Sequence, residues 1–148
     1  MSDVARLADL ATRGDQDHAR WELRYAQRAL AMVVAERRAH DDRTTSLVAA
    51  AMHDAFAADP HVAPAASPLA ERQFNDRLAA YRDALRARTR EPAATRLARV
   101  LLVFAGALRV ARGEGLDVAA ELLGSALGRT DAAFDRAFDA GAGAPAAR

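Results

Sequence analysis

Three features of this 148-residue sequence predict an all-α fold, a compact bundle of six or seven helices, four of them long. Alanine supplies 40 residues and arginine all 21 positive charges, and both favour helix strongly. Strand formers are scarce: the nine valines do not alternate with polar residues, and isoleucine is absent. Larger apolar residues recur at the three- and four-residue spacing of a buried helix face. Residues 1–140 are read as one domain and residues 141–148 as a disordered tail.

The elements follow from the breaks. Asp3 can cap a short helix with Val4, Leu7 and Leu10 on one face, ending near Gly14. Between Asp15 and Asp59 there is neither glycine nor proline, and Ala19, Leu23, Ala26, Leu30 and Val33 form a packing stripe. No large apolar residue lies between Val34 and Leu47, so a turn is placed near His40-Asp41-Asp42, with one continuous helix as the alternative. Asp42 or Thr44 then caps a helix presenting Leu47, Val48, Ala51, Met52 and Phe56.

Pro60, Pro64 and Pro68 frame an extended connector holding His61 and Val62. Ser67-Pro68 reads as a capped helix start, and Phe74, Leu78, Tyr81 and Leu85 form the buried stripe behind it. Pro92 opens a central helix carrying Leu97, Val100, Leu101, Phe104 and Leu108, with Gly106 offering a place for a tight crossing. Its apolar run, 100–108, rises only about 13 Å as a helix, against the roughly 30 Å of a bilayer core. Gly113 and Gly115 are expected to break the chain, Asp117 to cap a helix ending at Gly128, and Thr130 to cap a last helix with Phe134 and Phe138. The start, Met1 to Arg6, lacks the basic and apolar blocks of a secretory signal, so a cytoplasmic location is expected.

Cysteine is absent, which excludes disulfide scaffolds, thiolate zinc sites and cysteine nucleophiles. The four serines lie in no nucleophile elbow, and no glycine cluster forms a phosphate loop. The absence of lysine and isoleucine fits a GC-rich coding sequence better than a function.

The net charge of +1 hides regional imbalance: residues 68–99 carry +4, residues 41–67 carry −3 and residues 113–148 carry −3. Two arginine rows repeat every four residues, Arg20-Arg24-Arg28 and Arg82-Arg86-Arg90, as does an acidic row, Asp131-Asp135-Asp139. Like charges at that spacing repel on one helix face, so matching between helices, within the chain or between copies, is the economical reading. Trp21 and Tyr25 sit beside the first row, a pattern that can stack bases and hold phosphates. The near-zero net charge disfavours nucleic acid.

All four histidines precede residue 62, and two are followed by aspartate. His18 or His40, then His53-Asp54, then Asp117 can be fitted to the metal-ligand order of HD-type phosphohydrolases, where imidazole and carboxylate hold a metal that activates water. Chance alone supplies about 0.4 His-Asp pairs in this composition, and Ala55-Phe56-Ala57 gives no substrate loop. A di-iron bundle needs four glutamates and two Glu-x-x-His motifs, and the nearest approach here is Glu36…His40 at a four-residue spacing; a globin-like ligand is missing because no histidine follows His61.

The favoured expectation is therefore a non-enzymatic interaction or oligomerisation module that binds itself or a protein partner, without cofactor or membrane. Its interaction residues are Arg20, Trp21, Arg24, Tyr25 and Arg28, opposite Asp131, Asp135 and Asp139. The alternatives are an HD-like hydrolase using His18, His53, Asp54 and Asp117, and a bundle that binds single-stranded nucleic acid or holds a small molecule against Phe74, Tyr81 and Phe104.

Overall fold

The structure, a computed structural model, describes residues 1–38, 42–62, 64–107 and 113–142. Among these the fold is all-helical: α1 (Asp3–Leu10), α2 (Gln16–Arg38), α3 (Asp42–Ala57), α4 (Ser67–Arg86), α5 (Ala93–Phe104) and α6 (Glu114–Ala142), with a 3-10 turn at Pro64–Ala66. No described helix is long and apolar enough to cross a membrane.

Ser2, rather than Asp3, caps α1, its hydroxyl accepting the Ala5 N–H at 3.2 Å. Asp15 performs the same service for α2, accepting the His18 N–H at 2.9 Å. The stripe predicted on α2 is buried throughout, with Ala19, Ala26 and Leu30 at 0% exposure. A separate α3 begins at Asp42, so Asp42 and Thr44 lie within the helix rather than capping it from outside, and His40 and Asp41 fall outside the described residues.

Between α3 and α4 the chain is turned rather than extended, because Asp59 folds the backbone onto itself. Its carbonyl accepts the Val62 N–H and its carboxylate accepts the His61 N–H, both at 3.0 Å. Pro68 lies in the first turn of α4, whose N-cap is Ala66 rather than Ser67. Tyr81 is fully buried on α4, while Phe74, Leu78 and Leu85 pack against the core from its edge.

Helix α5 ends earlier than its apolar run. Ala105 is the C-cap, and Gly106 adopts φ +80°, the left-handed conformation that glycine tolerates best. The Gly106 and Ala107 N–H groups donate to Val103 and Leu102 carbonyls, the reciprocal pattern of a Schellman stop. Gly106 thus terminates the helix rather than permitting a crossing, and Leu108 lies outside the described residues. The close approach occurs instead at Gly124 on α6, where an added Cβ would stand 3.5 Å from Ala94 Cβ on α5.

The largest departure concerns α6, one 29-residue helix passing through Gly115, Gly124 and Gly128. Thr130 caps nothing; its hydroxyl donates back to the Ala126 carbonyl at 2.9 Å. Leu116, Ala119, Leu122, Leu123 and Ala126 are buried with α5's Leu97, Ala98, Leu101 and Leu102 in the same core. Each glycine costs about 1 kcal/mol of helix propensity, less than this packed face supplies.

Candidate functional site

Arg24 and Arg28 converge on one acceptor, with Nη1 of Arg24 3.3 Å and Nη2 of Arg28 3.2 Å from Asp59 Oδ2. The His61 N–H first, and the two guanidinium groups with it, hold the Asp59 carboxyl below its ordinary range. Arg20 turns to Asp17 at 2.5 Å, one turn back on its own helix. Asp131 and Asp135 both meet Arg38 from the end of α2. Within the chain, then, the Arg20-Arg24-Arg28 row and the aspartate row do not face each other; the Asp139 side chain lies outside the described set. The second basic row engages Glu36, which takes Arg82 at 2.5 Å and Arg86 at 3.7 Å.

The aromatic neighbours of the first row form part of a packed cluster. Tyr25 is 4% exposed, its hydroxyl 3.1 Å from Gln73 Oε1, and burial pushes its pKa up. Its ring lies 5.7 Å from Trp21 and 6.5 Å from Phe74. The guanidinium of Arg77 sits 4.8 Å over Tyr25 and 4.4 Å over Phe104. The same guanidinium grips Glu22, a residue on the buried face of α2, through contacts of 2.5 and 2.7 Å. Neither Tyr25 nor Phe104 is therefore a free stacking platform, and Tyr81 fills core.

His18 approaches Glu22 at 3.5 Å and His53 approaches Glu71 at 3.8 Å. Among the described residues no three His, Asp or Glu side chains are grouped to hold a metal; Asp54 and Asp117 are exposed.

Two concavities adjoin α3. One, about 250 Å³, is walled by α2, α3 and α4, with Arg28, Met32, Met52, Phe74 and Leu78 on its surface. The other is an open groove of about 460 Å³ between α3 and α6, with Val48 and Met52 on one side, Ala133 and Phe134 on the other, and Ala31 from α2 beneath. No residue of α3 with described burial is buried, and Leu47 is 62% exposed.

The residues that sequence periodicity missed are Glu22, Glu36, Arg38, Asp59 and Arg77. Asp59 belongs to the acidic stretch 41–67, and Glu22 stands among the stripe positions 19, 23 and 26; those were the available signals. Fold and site together define an all-α bundle fastened by arginine–carboxylate pairs, with one lightly packed helix beside a groove. No family model, curated protein or solved structure matches the chain.

Proposed function

We propose that the protein is a non-enzymatic helical interaction module that pairs with a second copy of itself through the α3–α6 face. The observation that carries this reading is α3, a 16-residue helix without a buried residue among those whose burial is described. A helix of that length is marginal in water unless packing supports it, and its inner side obtains only partial cover from α2. A second copy supplies the missing cover, because knob and hole lie on one surface. Leu47 projects from α3 beside Val48, and the adjacent groove is floored and edged by Ala31, Ala126 and Ala133. Such a face is self-complementary about a two-fold axis.

The arginine and aspartate rows serve this function from inside. Arg24 and Arg28 tie α2 to the turn after α3 through Asp59, and Arg38 ties α2 to α6 through Asp131 and Asp135. They hold the two walls of the groove in register.

Light scattering across micromolar to several-hundred-micromolar concentrations tests the proposal. Wild type is expected to be dimeric, and Leu47→Glu, which alters a side chain exposed in the monomer, is expected to weaken dimerisation at least tenfold with an unchanged circular dichroism spectrum. A wild type that stays monomeric over that range refutes it, as does a dimer indifferent to Leu47→Glu.

A further inference from the structure

We propose that the cavity between α2, α3 and α4 binds an amphipathic monocarboxylate of about ten non-hydrogen atoms. The size follows from volume. A dry cavity of about 150 Å³ accepts benzene, with its six carbons, so the 250 Å³ here holds a ligand roughly two thirds larger. The walls set the body of the ligand: Met32, Met52, Phe74 and Leu78 present thioether, aromatic and branched aliphatic surface. Methionine adapts to irregular apolar shapes, which suits a flexible chain or a small ring equally.

The polar end follows from the charges and their exposure. Arg28, its side chain only 17% exposed, is the most sheltered charged group on the lining, and Asp59 fixes the direction of its guanidinium. Glu71 and His53 stand at the rim, 48% and 65% exposed and 3.8 Å apart, so each faces the other across the mouth. Solvent-screened rim charges contribute little, whereas a sheltered guanidinium acts through a lower effective dielectric. A carboxylate directed at Arg28, with its apolar body along the two methionines, satisfies both halves of the site. α3, which walls one side of the hollow, contributes no described buried residue to the core.

Calorimetric titration of the full chain with octanoate, octan-1-ol and octylamine tests the assignment, since the three probes share a chain and differ in head group. Octanoate is expected to bind, octan-1-ol at least tenfold more weakly, and octylamine not measurably. Ala49→Trp, on the half-buried side of α3 that lines the cavity, is expected to abolish octanoate binding with little change in the melting curve. Arg28→Met should lower octanoate to the affinity of the alcohol; if that variant does not fold, Ala49→Trp and the head-group series still decide. Octanoate affinity unchanged in Ala49→Trp, octan-1-ol or octylamine binding as tightly as octanoate, or no octanoate binding up to millimolar concentration would each overturn the proposal.

Discussion

The ion pair of Glu22 and Arg77 offers the sharpest test of how this bundle is held together. Glu22 is 3% exposed and Arg77 12%, and two hydrogen bonds of 2.5 and 2.7 Å join them. A third guanidinium nitrogen donates to the Gln73 carbonyl at 3.0 Å. Replacing Arg77 by Met keeps the stem but leaves the buried Glu22 carboxylate with His18, 41% exposed and 3.5 Å away, as its remaining ion-pair partner among the described residues. Removing one member of a buried pair costs about 3–5 kcal/mol, because the remaining charge stays desolvated. Replacing Glu22 by Leu is milder, about 2–3 kcal/mol, since the guanidinium keeps the faces of Tyr25 and Phe104, a contact contributing roughly 1–2 kcal/mol. The double variant Glu22→Leu/Arg77→Met removes both charges, retains most of the volume, and should lie within about 2 kcal/mol of wild type.

Urea unfolding at pH 7, followed by circular dichroism, gives all three values; on a thermal melt Arg77→Met should fall about 6–20 °C. The coupling energy in that cycle should reach about 3 kcal/mol or more. A loss below about 1 kcal/mol for Arg77→Met, or single effects that add within roughly 0.5 kcal/mol, would refute the reasoning.

Three further expectations follow from the same geometry. Gly124→Ala and Gly128→Ala should each stabilise the protein by about 0.5–1 kcal/mol, since an added methyl meets Ala94 Cβ at an ordinary 3.5 Å in the first case and nothing within 4 Å in the second; a lowered melting temperature for both would contradict a continuous α6. Leu101→Ala, at a fully buried α5 position, should cost about 3 kcal/mol, and Val103→Ala, 47% exposed on the same helix, well under about 1 kcal/mol, as denaturant midpoints would report. For Asp59, whose carboxyl the His61 N–H and then Arg24 and Arg28 hold below its ordinary value of 3.8, the stabilisation is fully present above that value and is lost as pH falls through the lower folded one. The lead of wild type over Asp59→Asn should therefore be constant above about pH 4 and shrink below it; a lead that persists unchanged to pH 2.5 would exclude this linkage.

Proline was legible where it opens a helix, though not in the connector at Pro60 and Pro64, and glycine was the least legible residue. Pro68 and Pro92 act locally, through a fixed φ and a missing N–H, so α4 and α5 start where the sequence placed them. Glycine expresses only a preference that packing can override, and Leu116, Leu122 and Leu123 carry α6 through three of them. Gly106 and Gly113 do punctuate the chain, both at positive φ, and nothing in the sequence distinguishes them from Gly124. The site divides in the same way. That Arg24 and Arg28 share a helix face is a property of spacing alone. That they meet Asp59, 31 and 35 residues away, depends on where α3 returns the chain, and no periodicity encodes that.

These partners also account for how an alanine-rich bundle becomes specific. Alanine faces allow helices to approach closely but bury little area each, and their uniformity admits many registers. Arginine supplies what they lack, a long stem that lies along neighbouring helices and a head with fixed donor geometry. Arg6 reaches from α1 to Glu121 on α6, Arg82 from α4 to Glu36 on α2, and Arg38 from α2 to the aspartates of α6. Arg96 binds the Ala84 and Glu91 carbonyls and pins the turn between α4 and α5. Half-exposed pairs contribute little stability individually, so their effect is chiefly on register, while the sheltered Glu22–Arg77 pair and the Asp59 site should weigh more in a melt. With so many cationic heads engaged inside the chain, the side chains that lack cover lie on α3 and along the two hollows that share Met52, which is where both proposed contacts fall.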